Sequence, residues 1–133
     1  MTKSQERSLW KGLLAGAIAG LVATAAKTAA ERFGPQHRER ADSASAEMHW
    51  GVGIAAGAAY GAVAEFFPAA TAKEGAAFGL TLMSVTQRGV LPALGMAPAA
   101  EDETLGEETA EAATHIVYGV VAEKVRGIVR PLL

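Results

Sequence analysis

The sequence contains no cysteine, which removes disulfides, zinc–thiolate sites, iron–sulfur clusters and cysteine nucleophiles together. Only eight of its 133 residues are aromatic, too few to fill a core with large rings. It has no block of basic charge: twelve lysines and arginines are interleaved with fourteen acids, for a net charge of −2, which excludes a nucleic-acid surface. It has no glycine loop set between a strand and a helix, so no phosphate cradle is expected. Uncharged runs are short as well. Fifteen residues separate Lys11 from Lys27, seventeen Glu47 from Glu65, thirteen Glu74 from Arg88 and eleven Glu111 from Glu123, each below the roughly 18 residues that mark a membrane span unaided.

What the sequence does have is small residues, with thirty alanines and fifteen glycines. Such side chains bury little area each, and glycine within a helix costs roughly 1 kcal/mol against alanine, so a water-soluble core of this composition is weakly driven to fold. In a bilayer helices associate through close backbone approach, which small residues permit. The short runs are compatible with spans because Lys11, Lys27 and Arg88 have stems long enough to reach the headgroups, and because Trp10, Trp50, Phe66 and Phe67 fall at interfacial positions. The stretch "MHWGVGIAAGAAYGAVA" is apolar on every face, whereas a surface helix of a small soluble domain carries a polar stripe. Breaks at Gly34-Pro35, at Pro68 and through "GVLPALGMAP" divide the chain into helices near residues 8–33, 44–67, 73–90 and 106–130. The expected fold is all-α, a single polytopic membrane domain forming a four-helix bundle. A soluble helical bundle is the competing class. The N-terminal run resembles an export signal but is taken as the first span. The end of the fourth helix, with Val125, Ile128 and Val129 on one face and Lys124, Arg126 and Arg130 elsewhere, is expected to leave the membrane along its surface.

The segment "YGAVAE" at 60–65 returns as "YGVVAE" at 118–123. Tyr60 with Glu65 and Tyr118 with Glu123 then hold equivalent places in helices two and four, and the chain reads as two tandem helix pairs. Gly12, Gly16 and Gly20 are spaced by four, as are Gly53, Gly57 and Gly61, and also Gly75 and Gly79. Each row forms one helix face into which a neighbouring backbone can press, within this chain first and in a homodimer or against another membrane protein second. Seven lysines and arginines against four acids lie on the side of the two termini, and five against ten on the other, which favours termini in the cytoplasm.

Two histidines open helices two and four on the outer side. Glu111 precedes His115 by one helical turn, which aligns carboxylate and imidazole; with His49 they form a candidate proton-responsive group. A metal would want more ligands than these. No cofactor is predicted, although two histidines leave room for a haem or pigment contact. Hydrogen bonding to a neighbouring helix is the plainer role for both. Thr81, Ser84, Thr86 and Gln87 form a polar edge on helix three, with no base placed to activate a hydroxyl, and are expected to bond between helices. No enzyme is expected.

The spacing of His49, "YGAVAEFFP", "EGAAFGLTLMS", "LPALGMAP" and "EAATHIVYGVVAEKVRGIVR" over roughly residues 45–130 resembles the YagU-like family of bacterial inner-membrane proteins, a domain of unknown function. The resemblance implies a polytopic protein of the bacterial inner membrane and brings no catalytic residues with it. On these grounds the first expectation is a non-enzymatic interaction or accessory subunit of a larger membrane assembly. The second is an envelope or acid-stress factor, with a proton-responsive outer face or a proton-linked conduit.

Overall fold

A computed structural model describes residues 6–32, 43–86, 93, 95 and 105–133. Among these the chain is all-helical, without strands: α1 spans Leu9–Glu31, α2 Ser43–Phe66, α3 Ala76–Val85 and α4 Leu105–Val129, with 3-10 turns at Pro68–Gly75 and Arg130–Leu132. The breaks expected at Gly34-Pro35 and through "GVLPALGMAP", and the side chains of Gln87 and Arg88, lie outside the described residues. Ser8 starts α1 as an N-cap in extended geometry, its hydroxyl accepting from the Lys11 N–H at 3.4 Å, which satisfies one of the orphan donors of the first turn. Proline at 68 stops α2, its φ fixed and its donor missing.

The third helix begins later than residue 73. Lys73 and Glu74 sit in the left-handed region at φ 56° and 55°, and Gly75 follows at φ 94°. No local pattern announces this, because a left-handed lysine and glutamate run against their own backbone preference. The reversal turns the chain so that α3 starts against α4.

Of the four helices, α1 alone among the described residues is both long and apolar enough to cross a membrane. Its 23 residues reach about 35 Å, against a hydrocarbon core of about 30 Å. The four-span expectation therefore has one qualifying helix here. The helices α2 and α4 are 24 and 25 residues long, and α3 shows ten.

Packing follows from the small residues. α1 lies against α2 on one side and α4 on the other, and α3 lies against α4. The face that α1 turns to the core is Ala15, Ala19 and Ala23, all fully buried; Ala19 and Ala23 cluster with Tyr118 and Ala122 of α4. Between α2 and α3 the backbones stay apart, bridged by rings. Tyr60 stacks on Phe78 with centroids 4.2 Å apart, and Phe78 meets Tyr118 at 5.9 Å. Large apolar side chains mostly point outward: Leu14, Ile18, Leu21 and Val22 of α1 are exposed, as are Leu80 and Val85 of α3.

Candidate functional site

The glycine rows engage one another inside the chain. A Cβ placed on Gly12 would meet the Gly61 carbonyl oxygen at 2.8 Å and Glu65 Cβ at 3.2 Å; on Gly16 it would collide with the Gly57 carbonyl and come within 2.9 Å of Gly61 Cα; on Gly20 it would reach the Gly53 carbonyl at 2.5 Å. Gly57 and Gly61 return these contacts to α1, while Gly53 receives the Thr24 side chain. In the second pair the same register recurs. Gly75 faces the Gly119 carbonyl with Glu123 Cβ at 2.9 Å, and Gly79 faces the His115 carbonyl with Gly119 N at 3.3 Å. Gly12 and Gly75 are thus equivalent, as are Gly16 and Gly79, and the repeated hexapeptide supplies the surface that each pair meets. Gly51 and Gly127 have nothing within 4 Å.

The contacts between the pairs are not repeated. Tyr60 donates to Glu123 Oε2 at 2.6 Å, whereas Tyr118 donates to the Gly53 carbonyl at 2.5 Å. The cause lies in the residues at equivalent heights: α1 shows Ala15 and Ala19 where α3 shows Phe78 and Leu82. Alanines let α1 and α4 close on each other; the phenylalanine holds α2 and α3 apart.

Both ends of the bundle carry paired charge. At the end holding the two terminal segments, Arg130 grips Glu65 with two hydrogen bonds, one of 2.8 Å from Nε to Oε2 and a shorter one from its terminal nitrogen to Oε1. The same guanidinium donates to the Glu6 carbonyl at 2.8 Å, and the Ser8 N–H donates to Glu65 Oε1 at 2.8 Å. Both side chains of the pair are 7 % exposed. Glu65 lies past the apolar run of α2. The Arg130 hydrogen bonds, aided by Ser8, hold its carboxyl below the ordinary value of 4.5, against burial acting the other way. Glu65 in turn holds the Arg130 guanidinium above its ordinary range. Beside this pair Arg126 makes a bidentate bridge to Glu123 at 2.7 and 2.8 Å, and Lys124 meets Glu74 at 3.3 Å on the surface.

Arg126 and Arg130 therefore turn inward to the two carboxylates of the repeat, while Ile128 is 67 % exposed. Lys27 also turns to a partner inside the chain. It is 7 % exposed and ion-paired to Glu31 one turn on. Lys11 is exposed, Trp10 is 78 % and Phe67 67 % exposed, and Trp50 is half-buried.

Midway along α4, against Gly79, His115 is buried. Its Nδ1–H donates to the Glu111 carbonyl at 2.8 Å, a role fixed because a carbonyl only accepts, and the Glu111 carboxylate stands 3.2 Å from the same nitrogen. His49 sits on the other pair, with Nε2 3.4 Å from the Thr28 hydroxyl. The structure brings Glu111 and His115 together and gives His49 a different neighbour. Among the described residues no three of His, Asp and Glu gather as metal ligands. On α3 the hydroxyls of Thr81, Ser84 and Thr86 bond back to Ala77, Leu80 and Leu82 carbonyls of their own helix at 2.8, 3.1 and 2.8 Å. They do not bridge helices as expected.

Three partnerships escaped the sequence: Glu65 with Arg130, Tyr60 with Glu123, and Lys27 with Glu31. The last had a visible signal in its four-residue spacing, as did Glu123 with Arg126 in its three. The first two join residues more than sixty apart and have none. No curated protein and no solved structure matches the chain. A family model matches residues 22–124, from the middle of α1 to the charged end of α4, and by that match the chain belongs to a family of proteins of unknown function (DUF1440).

Proposed function

We propose that this chain is a polytopic integral-membrane bundle of a bacterial inner membrane that acts, without enzymatic chemistry, as an interaction or accessory subunit of a larger membrane assembly. The observation that carries the membrane reading is the inverted packing. Among the described residues the fully buried hydrophobic ones are Ala15, Ala19, Ala23, Ala64, Ala122 and two tyrosines; Phe78, Leu82, Val121 and Val125 are only partly buried against them, and Leu14, Ile18, Leu21, Val22, Val63, Leu80 and Val85 face out. On α1 the outward residues Leu14, Ile18, Leu21 and Val22 recur at helical spacing, the pattern a soluble helix turns toward its core. Hydroxyls on the exposed face of α3 close onto their own backbone, which suits a surface with no water to bond them.

A contact role is supported by what remains available outside. The glycine rows are engaged within the chain, and Glu65, Glu123, Lys27 and Glu31 are paired within it. Among the described residues the outer faces of α1 and α3 carry exposed large apolar side chains, available to lipid and to a partner. The two terminal segments meet through Arg130 and Glu6, which supports termini on one side, and the charge count favours the cytoplasm.

The test is membrane fractionation followed by native mass spectrometry of the chain extracted in mild detergent. Retention in carbonate-washed membranes with a second polypeptide in fixed ratio is the expected result. Release by carbonate sinks the membrane reading; a bare monomer or homo-oligomer sinks the accessory role.

The Glu111–His115 pair favours a second reading, a proton-responsive outer face. Its imidazole is buried, with the Glu111 carboxylate 3.2 Å from Nδ1. Replacing His49 and His115 with glutamine abolishes a pH response in proteoliposomes if that reading is right, and leaves it intact if it is wrong.

A further inference from the structure

We propose that the end of the bundle carrying the two terminal segments is built to sit on a leaflet rich in anionic phospholipid, contacting the headgroup phosphates through Arg7, Lys11, Lys73 and Lys124. This rests on the membrane reading above and adds the lipid class. The end is held together by contacts already described: Ser8 with Glu65, Arg130 with Glu6, Lys124 with Glu74. Two of its four acids are turned inward. Glu65 and Glu123 are engaged by Arg130 and Arg126, with side chains 7 % and 18 % exposed. Among the described residues of this end, four cations face outward, Arg7, Lys11, Lys73 and Lys124, against two acids, Glu6 and Glu74, of which Glu74 meets Lys124 in an exposed pair.

The arginines suited to planar, bidentate recognition are thus used internally, and the outward cations are mostly lysines. A lysine ammonium is a mobile point charge on a long stem, suited to a phosphate that moves with its lipid. The left-handed turn at Lys73 and Glu74 carries both side chains out at the level where α2 ends. Around the cations stand Trp10, Phe67 and Leu132, which are 78 %, 67 % and 79 % exposed. Aromatic rings at the headgroup level with basic residues among them match the chemistry of an anionic interface. Each basic residue near such a surface contributes about 1 kcal/mol, a factor of about five.

The experiment uses the full chain with Trp50→Phe, leaving Trp10 as reporter, in vesicles of equal phosphatidylglycerol and phosphatidylcholine with one or the other brominated. Trp10 is expected to be quenched more by brominated phosphatidylglycerol. The preference falls in high salt, and by up to about fivefold for each of Lys11→Gln, Lys73→Gln and Lys124→Gln. The converse variant Trp10→Phe, which reports from Trp50 on the other end, shows no preference. Equal quenching of Trp10 by both lipids overturns the proposal while leaving the membrane reading in place. A preference of the same size at Trp50 overturns it too, because the effect would not belong to this end. Quenching by neither lipid overturns the membrane reading itself.

Discussion

Replacing Gly16 with alanine adds one methyl group at the centre of the α1–α2 crossing, where every near neighbour is backbone. The new Cβ collides with the Gly57 carbonyl and stands 2.9 Å from both Gly61 Cα and Gly61 N, about half an ångström inside the tightest ordinary contact. No rotamer can yield, because backbone has none. The two helices must separate, and separation also loosens the flanking contacts of Gly12 and Gly20. Overpacking of this kind costs about 1–3 kcal/mol, offset by up to about 1 kcal/mol of helix propensity. A net loss of about 1–2 kcal/mol is expected. Gly51→Ala is the control, since its Cβ enters open space; it keeps the propensity gain and is neutral or stabilising. Gly79→Ala in the second pair, facing the His115 carbonyl, behaves like Gly16→Ala. The assay is unfolding of the detergent-solubilised chain by SDS titration, read by circular dichroism. If Gly16→Ala and Gly51→Ala unfold alike, close backbone approach does not hold the first pair together. If Gly16→Ala is costly and Gly79→Ala is not, the two pairs are not equivalent.

Glu65→Gln or Arg130→Gln, by leaving its partner's charge buried without compensation, lowers stability by about 3 kcal/mol, measured by the same titration. Because Glu65 ionises more readily in the folded chain than its ordinary 4.5, its contribution is present above that value and is lost as pH falls through the lower, folded value. Stability of the wild type therefore declines below about pH 4.5, and Glu65→Gln declines less. Tyr60→Phe removes a hydrogen bond to a carboxylate and costs about 2 kcal/mol, while Tyr118→Phe removes one to a carbonyl and costs about 1 kcal/mol; equal losses would contradict the charge-assisted geometry. Lys73→Gly relieves a left-handed φ and raises the unfolding midpoint by the equivalent of up to about 1 kcal/mol, whereas destabilisation would show that the turn is not left-handed.

Much of the fold is legible because it depends on short-range rules. Ser8 before an apolar run marks the start of α1, and Pro68 marks the end of α2. Glycines four apart mark a flat face, whichever helix comes to fill it. Other features are set by contacts across the bundle and leave no local trace. A left-handed Lys73–Glu74 is held by the demand that α3 meet α4. The inward turn of Arg126 and Arg130 depends on where Glu65 and Glu123 arrive in space. Lys27 reads as a snorkelling residue from its place at the end of an apolar run, and only the burial of its neighbour Glu31 makes pairing the better outcome.

The repeat explains why so short a chain holds two kinds of helix seam. Within each pair the hexapeptide does the same work: a glycine beside the tyrosine admits the backbone of the preceding helix, and the glutamate closes the contact four residues later. Those contacts match because the residues that make them match: Gly61 and Glu65 stand in the first pair where Gly119 and Glu123 stand in the second. Contacts between the pairs draw on residues that differ, and they do not match. α1 offers alanines, so α1 and α4 close along a smooth seam around Ala19, Ala23 and Ala122. α3 offers Phe78, so α2 and α3 stay propped, and Tyr60 reaches past the ring to Glu123. Two similar helix pairs thus yield a bundle whose α1–α4 seam is closed by small side chains, whose α2–α3 gap is filled by rings, and whose α2 is tied to the C-terminal part of the chain by Tyr60–Glu123 and Arg130–Glu65.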